Sequence, residues 1–175
     1  MISWERSINI KSPYELKIMR EAGRINAEAL AAAVALVKPG VTTGELNEAF
    51  EAVHKEYDVF SPFKDYPGPY PYPASICTSV NDELVHGIPG DRKLVDGDIV
   101  SIDCGTVYQG FVGDMSVTVP VGEVAAETER LIEVTKQALD IAISKMVPGN
   151  TTGDIGNAVQ TFVEEKGFHI TRTYT

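Results

Sequence analysis

One thirteen-residue phrase of this chain is written twice. Lys38-Pro-Gly-Val-Thr-Thr-Gly-Glu-Leu-Asn-Glu-Ala-Phe50 returns 109 residues later as Val147-Pro-Gly-Asn-Thr-Thr-Gly-Asp-Ile-Gly-Asn-Ala-Val159. Pro39, Gly40, Thr42, Thr43, Gly44 and Ala49 are matched by Pro148, Gly149, Thr151, Thr152, Gly153 and Ala158. A period this long implies two related half-domains and excludes a solenoid of short repeats. Each copy also has a local meaning. Pro-Gly stops a helix, and Thr-Thr-Gly-Glu or Thr-Thr-Gly-Asp opens the next with a capping box.

The flanking patterns agree. Ser12-Pro13-Tyr14-Glu15 is a capping box with proline at the first helical position. Ile18, Ala22, Ile25, Ala29 and Ala33 then recur on one helical face, widened by Met19, Leu30, Val34 and Val37. Thr42 opens a second helix that runs to about Tyr57. In the second copy, helices are expected over Leu131–Met146 and Thr152–Lys166, with Gly167 as the stop. Between the copies the period becomes two. Ala74–Val80 reads as a strand, Asp96-Gly97 as a turn, and Ile99–Gly105 and Phe111–Pro120 as strands joined around Tyr108-Gln109-Gly110. Phe60–Pro73 carries five prolines and three tyrosines and reads as a constrained loop.

The order helix, helix, strands, helix, helix predicts an α+β fold in a single domain over 1–175. By the repeat, Thr175 falls where Tyr66 stands in the first copy. The strands of a second half are therefore expected to be absent, leaving the domain incomplete at its C-terminal end. Fifteen basic against 25 acidic residues give a net charge of −10, which argues against nucleic acid or an anionic membrane as partner. No run of 18 apolar residues occurs and Met1–Ile10 shows no secretory pattern. Two cysteines, Cys77 and Cys104, make no disulfide framework. A cytoplasmic location is the expectation.

The chemistry-bearing residues lie in the middle. Asp103 and Asp114 are eleven apart across the hairpin. Symmetric pairing about Tyr108/Gln109 would set them directly opposite each other. Alternation places Ser101, Asp103, Val112, Asp114 and Ser116 on one face, and Val100, Ile102, Cys104, Phe111, Met115 and Val117 on the other. Facing carboxylates repel unless screened by water or neutralised by a cation. Spacing alone leaves both open, and two carboxylates do not complete a metal site. His86, in Val85-His-Gly-Ile-Pro-Gly90, follows a strand and is flanked by glycine and proline, a setting that suits a catalytic group on a rigid loop. His54 and His169 read as surface or packing residues.

Taken together, Pro73-Ala-Ser-Ile-Cys-Thr-Ser-Val-Asn81, Val85-His-Gly-Ile-Pro89, Gly97-Asp-Ile-Val-Ser-Ile-Asp103 and Gly110-Phe-Val-Gly-Asp114 resemble type I methionine aminopeptidases from about Ser12 to Tyr174. The resemblance implies the pita-bread fold, here its first half plus the helical part of the second. It also implies metal-dependent removal of the N-terminal methionine of newly made polypeptides. By the same resemblance Asp103 and Asp114 match two of five ligands to two divalent metals (Co, Mn, Fe, Zn or Ni). His86 matches the catalytic imidazole that meets the substrate. Phe63, Tyr66, Tyr72 and Cys77 match the surroundings of the methionine side-chain pocket, where rings and a thiol suit a thioether. Ile170-Thr-Arg-Thr-Tyr-Thr175 resembles the stretch that leads, in the family, into the remaining ligands. No residue here matches those three ligands, so incomplete or weak metal binding is expected of the chain alone. The alternative is an inactive binding or structural module. The apolar stripes of the last two helices predict self-association or a complementing C-terminal fragment.

Overall fold

The computed structural model describes residues 9–171. Five helical and strand elements fill the first part of the chain: α1 (Pro13–Ala35), α2 (Thr43–Glu56), β1 (Ile76–Val80), β2 (Ile99–Tyr108) and β3 (Phe111–Pro120). Two helices follow, α3 (Ala126–Lys145) and α4 (Thr152–Glu165). By packing, the chain divides after Glu123 into two units.

The written repeat is a structural repeat. Thr42 and Thr151 each cap a 14-residue helix, and each completes a box with the acid three residues on, Glu45 and Asp154. The two helices start and stop 109 residues apart, 43 to 152 and 56 to 165. Gly40 and Gly149 both take φ above 90° (92° and 98°), the left-handed turn that only glycine adopts without strain. Ser12 caps α1 as its sequence predicts. Helix α3 starts at Ala126, five residues before the first strongly periodic residue, because Ala125 supplies no side-chain cap to mark it.

In the first unit the strands form an antiparallel sheet in the order β1-β2-β3. Val100, Ile102 and Cys104 of β2 are fully buried. They share a core with Ala29, Leu30 and Ala33 of α1 and with Leu46 and Phe50 of α2. The opposite sheet face carries Asp103. Strand β1 begins at Ile76 and not at Ala74. Ser75 is diverted before it, its N–H donating to Asn47 Oδ1 (2.9 Å) and its carbonyl accepting from Ser61 Oγ (2.6 Å). The second unit is the α3–α4 pair, closed by Val134, Ala138 and Val163 with Phe162, Phe168 and Ile170 packed against them. Gly167, at φ 82°, ends α4. No helix among the described residues is long and apolar enough to cross a membrane.

One polar chain runs through the first core. His54 Nε2 lies 2.7 Å from Thr106 Oγ1, Thr106 donates to Asn26 Oδ1 at 2.9 Å, and Asn26 Nδ2 donates to the Cys104 carbonyl at 3.2 Å. Thr106 spends its proton on Asn26, so it accepts from His54, and the imidazole is neutral with its proton on Nε2. Burial pushes the His54 pKa down to about 4, partly opposed by Glu51. An unfolded imidazole protonates near 6.5. Between those values the unfolded chain binds the extra proton, so stability is full above about 6.5 and is lost as pH falls towards 4. The expected loss is up to about 3 kcal/mol below pH 4, of which about 2 kcal/mol is reached by pH 4.5. Urea midpoints of the protein and of His54→Gln, compared at pH 7 and pH 4.5, check it: the drop specific to His54 should vanish in the variant.

Candidate functional site

The hairpin register decides how the two aspartates meet. Tyr108 pairs with Phe111, and Gln109 and Gly110 form a two-residue turn with φ of 47° and 82°. Positive φ at both central residues is the hairpin turn that matches strand twist. It moves the pairing by two residues from symmetric closure about Tyr108/Gln109. Asp103 therefore faces Ser116, and Asp114 faces Gly105. The expected direct opposition of Asp103 and Asp114 is corrected to a diagonal. Because the shift is even, both carboxylates keep the same face of the sheet, at the diagonal spacing of about 7–8 Å typical of such pairs.

That face has a definite composition. Cys77 of β1, Asp103 of β2 and Ser116 of β3 make one row across the sheet. The adjacent row holds Gly105 and Asp114. Asp103 is half-buried and Asp114 is exposed. Burial first, and then the charge of Asp114, push the Asp103 carboxyl above the usual range, while His86 draws it back. Asp103 thus feels the charge of both Asp114 and His86. Beside them, burial raises the Cys77 thiol, against a hydrogen bond from Tyr72 and with the charge of Asp103. Burial likewise raises the Tyr72 phenol, helped by Cys77 and Asp103. Both stay protonated at neutral pH, so this face offers a neutral thiol and phenol next to two carboxylates. Cys104 lies on the core face, its thiol pushed up to about 12 by burial, and offers no nucleophile.

Phe63 reaches the same face through a missing side chain. A Cβ on Gly105 would stand 3.0 Å from Pro62 Cγ and 3.2 Å from Phe63 Cε1. Glycine at this position therefore lets the Pro62–Phe63 segment lie on the sheet directly opposite Asp114. Phe63, Tyr72 and Cys77 are gathered there. Tyr66 is not: the residue is 66% exposed, and its backbone serves the loop, with its N–H donating to Phe63 O and its carbonyl accepting from Tyr72 N.

His86 sits in the segment lying against the free edge of β1. Its φ is 60°, a left-handed conformation, which costs an L-residue of this kind about 1 kcal/mol. The segment is held at two points. At Gly87, the carbonyl accepts from Thr78 N (2.8 Å) and Tyr72 OH (3.1 Å), and the N–H donates to Ser79 Oγ (3.1 Å). At Gly90, the carbonyl accepts from Gly44 N (2.9 Å) and the N–H donates to Thr43 Oγ1 (3.0 Å). The Thr-Thr-Gly phrase of the repeat thus both starts α2 and anchors the histidine segment. Alternation along β1 puts Ser79 on the Cys77 face, but nothing local in the sequence discloses its bond to Gly87.

Carboxylate oxygens suit hard and borderline divalent cations. Asp103, whose charge is disfavoured by burial and by Asp114, fits such an ion as its neutralising partner. No group of three or more histidine, cysteine or acidic side chains converges as a cation site among the described residues. These residues therefore fit part of a coordination shell.

Residues 17–175 match the model of metallopeptidase family M24. The chain is 44% identical over 164 residues to methionine aminopeptidase 1 of Bacillus subtilis, covering 94% of this chain and 65% of that protein. It is 41% identical over 168 residues to methionine aminopeptidase of Clostridium acetobutylicum, covering 95% and 66%. The crystal structure of methionine aminopeptidase from Rickettsia prowazekii superposes with a TM-score of 0.90 at 39% identity, over 96% of this chain and 66% of that one. The chain thus spans about two thirds of the length of the curated relatives it matches. Prolidase from Pyrococcus furiosus, at 22% identity and a TM-score of 0.77, shares the fold. The architecture is that of the pita-bread fold, its first half together with the helices that open the second.

Proposed function

The chain belongs to metallopeptidase family M24, and on that premise we propose that it carries the first-half portion of a methionine aminopeptidase site. The reading rests on one observation above all: two carboxylates and three of the four substrate-pocket candidates, Phe63, Tyr72 and Cys77, meet at one sheet face, and the charge of His86 reaches Asp103 there. In this reading Asp103 and Asp114 hold divalent cations. When bound, such ions activate water and supply Lewis acidity towards the scissile carbonyl. His86 donates a hydrogen bond to the substrate carbonyl as it becomes tetrahedral, from a segment fixed before substrate arrives. Phe63, Tyr72 and Cys77 receive the methionine side chain, whose thioether packs well on ring edges. Tyr66 stands at the rim. The substrate is the N-terminal methionine of a newly made polypeptide, and the place of action is the cytoplasm.

A specific observation bears on the partner. Leu131, Val134, Ala138 and Ala142 of α3 stand 109 residues after Ala22, Ile25, Ala29 and Ala33, which α1 buries in the first core. In the second unit the equivalent face lines a groove of about 400 Å³, and Leu131 and Leu139 are 39% and 58% exposed. A sheet supplied by a complementing C-terminal fragment, or failing that a second copy, covers this face in our reading.

One experiment addresses both points. Methionine release from Met-Ala-Ser is followed with added Mn²⁺ or Co²⁺, alongside calorimetric titration of the ion and sedimentation of the same samples. Weak but saturable ion binding through Asp103 and Asp114, with slow metal-dependent release, is the expected result for the chain alone. Absence of both at millimolar ion would favour the inactive binding or structural module. A monomer at high concentration would remove self-association.

A further inference from the structure

We propose that the Ser79 hydroxyl is a positioning residue for His86, acting through the backbone of Gly87; this rests on the reading of His86 as the group that meets the substrate. The His86 segment has no regular structure of its own, and its hold on the rest of the first unit is concentrated at Gly87, against β1, and at Gly90, against the start of α2. At Gly87 both backbone groups are spent on β1 and its surroundings: the carbonyl on Thr78 N and Tyr72 OH, the N–H on Ser79 Oγ. The fit is close enough that a Cβ on Gly87 would come within 2.2 Å of the Thr78 carbonyl oxygen. His86 immediately precedes this clamp and carries a left-handed φ. Such a conformation persists only where its neighbours hold it.

Of the three bonds, the one from the Gly87 N–H depends on a side chain outside the methionine pocket. Ser79 is 4% exposed on β1, two residues beyond Cys77. Its oxygen is the acceptor that the half-buried Gly87 amide would otherwise lack within the protein. Without it, the peptide plane between His86 and Gly87 is free to turn, and the imidazole turns with it. The Tyr72 hydroxyl assists from the other side, bonding both Ile76 O (3.0 Å) and Gly87 O (3.1 Å), so one wall of the pocket also touches the clamp.

Amide exchange and ring NMR signals of the full chain test this without requiring turnover. In Ser79→Ala, the Gly87 amide should exchange roughly five- to tenfold faster, as for one lost hydrogen bond. The His86 ring signals should shift or broaden. The amides of Val100 and Ile102 and the His54 ring should be unchanged, and Ser79→Thr should restore the Gly87 and His86 signals. Unchanged Gly87 exchange and His86 signals in Ser79→Ala would overturn the proposal. So would an unprotected Gly87 amide in the unsubstituted protein, a reading that remains available if the variant does not fold. The reading of His86 fails separately, if His86→Ala leaves metal-dependent methionine release intact while the Gly87 clamp is measured as described.

Discussion

Gly113→Ala is expected to destabilise the first unit by about 3 kcal/mol. The cause is a backbone-to-backbone contact. A Cβ on Gly113 of β3 would lie 2.7 Å from Gly23 N and 2.8 Å from the carbonyl carbon and oxygen of Ala22. These are main-chain atoms of α1, committed to the helix, and no rotamer change can move them aside. Ala22 is itself fully buried, so the helix must lift off the sheet and open the core it shares with Ile102 and Cys104. Gly23→Ala provides the control, because a Cβ there meets nothing within 4 Å. It should be neutral or gain up to about 1 kcal/mol through helix propensity. Urea midpoints of the two variants therefore move in different directions or by very different amounts. Equal midpoints for Gly113→Ala and the unsubstituted protein would mean that α1 does not dock on β3 at this point.

The same glycine shows what could and could not be read in advance. Helix caps were legible, since Ser12, Thr42 and Thr151 act on backbone groups three residues away, within a short window of sequence. So was the partition of β2 and β3 into an apolar and a carboxylate-bearing face, which depends only on alternation. The register was not. It turns on which two residues take positive φ, and Gln109-Gly110 rather than Tyr108-Gln109 does so, displacing Asp103 from Asp114 by two positions. Contacts between distant segments were equally invisible: the His54–Thr106–Asn26 chain joins residues 52 and 80 apart, and Gly105 makes room for Phe63 across more than forty residues. Alternation and capping are local physics. The site is made by approaches between segments, and those approaches are marked in the sequence only by glycines whose reason lies elsewhere in the fold.

Asp103→Asn is expected to act with opposite signs on stability and on ion binding. Asparagine has nearly the shape of aspartate, so the sheet face keeps its packing while losing one negative charge. In the protein without added ion, the Asp103 carboxyl is disfavoured first by burial and then by Asp114. Removing its charge relieves both costs and should raise stability by up to about 1 kcal/mol, the scale of a cross-strand like-charge pair. With Mn²⁺ present the order reverses. An ion that binds only the native state adds stability that grows as RT ln(1 + c/Kd), where c is the free ion concentration, and the variant, lacking one of the two carboxylates, forfeits that gain. Ion affinity should fall by more than about a hundredfold, since loss of supporting groups around metal ligands alone costs ten- to a hundredfold. Thermal unfolding with and without Mn²⁺ measures both signs in one experiment. A functional carboxylate is expected to be a liability to the empty fold. If Asp103→Asn is instead less stable without ion and unaltered in its response to Mn²⁺, then Asp103 is a structural hydrogen-bonding residue and the cation site is not here.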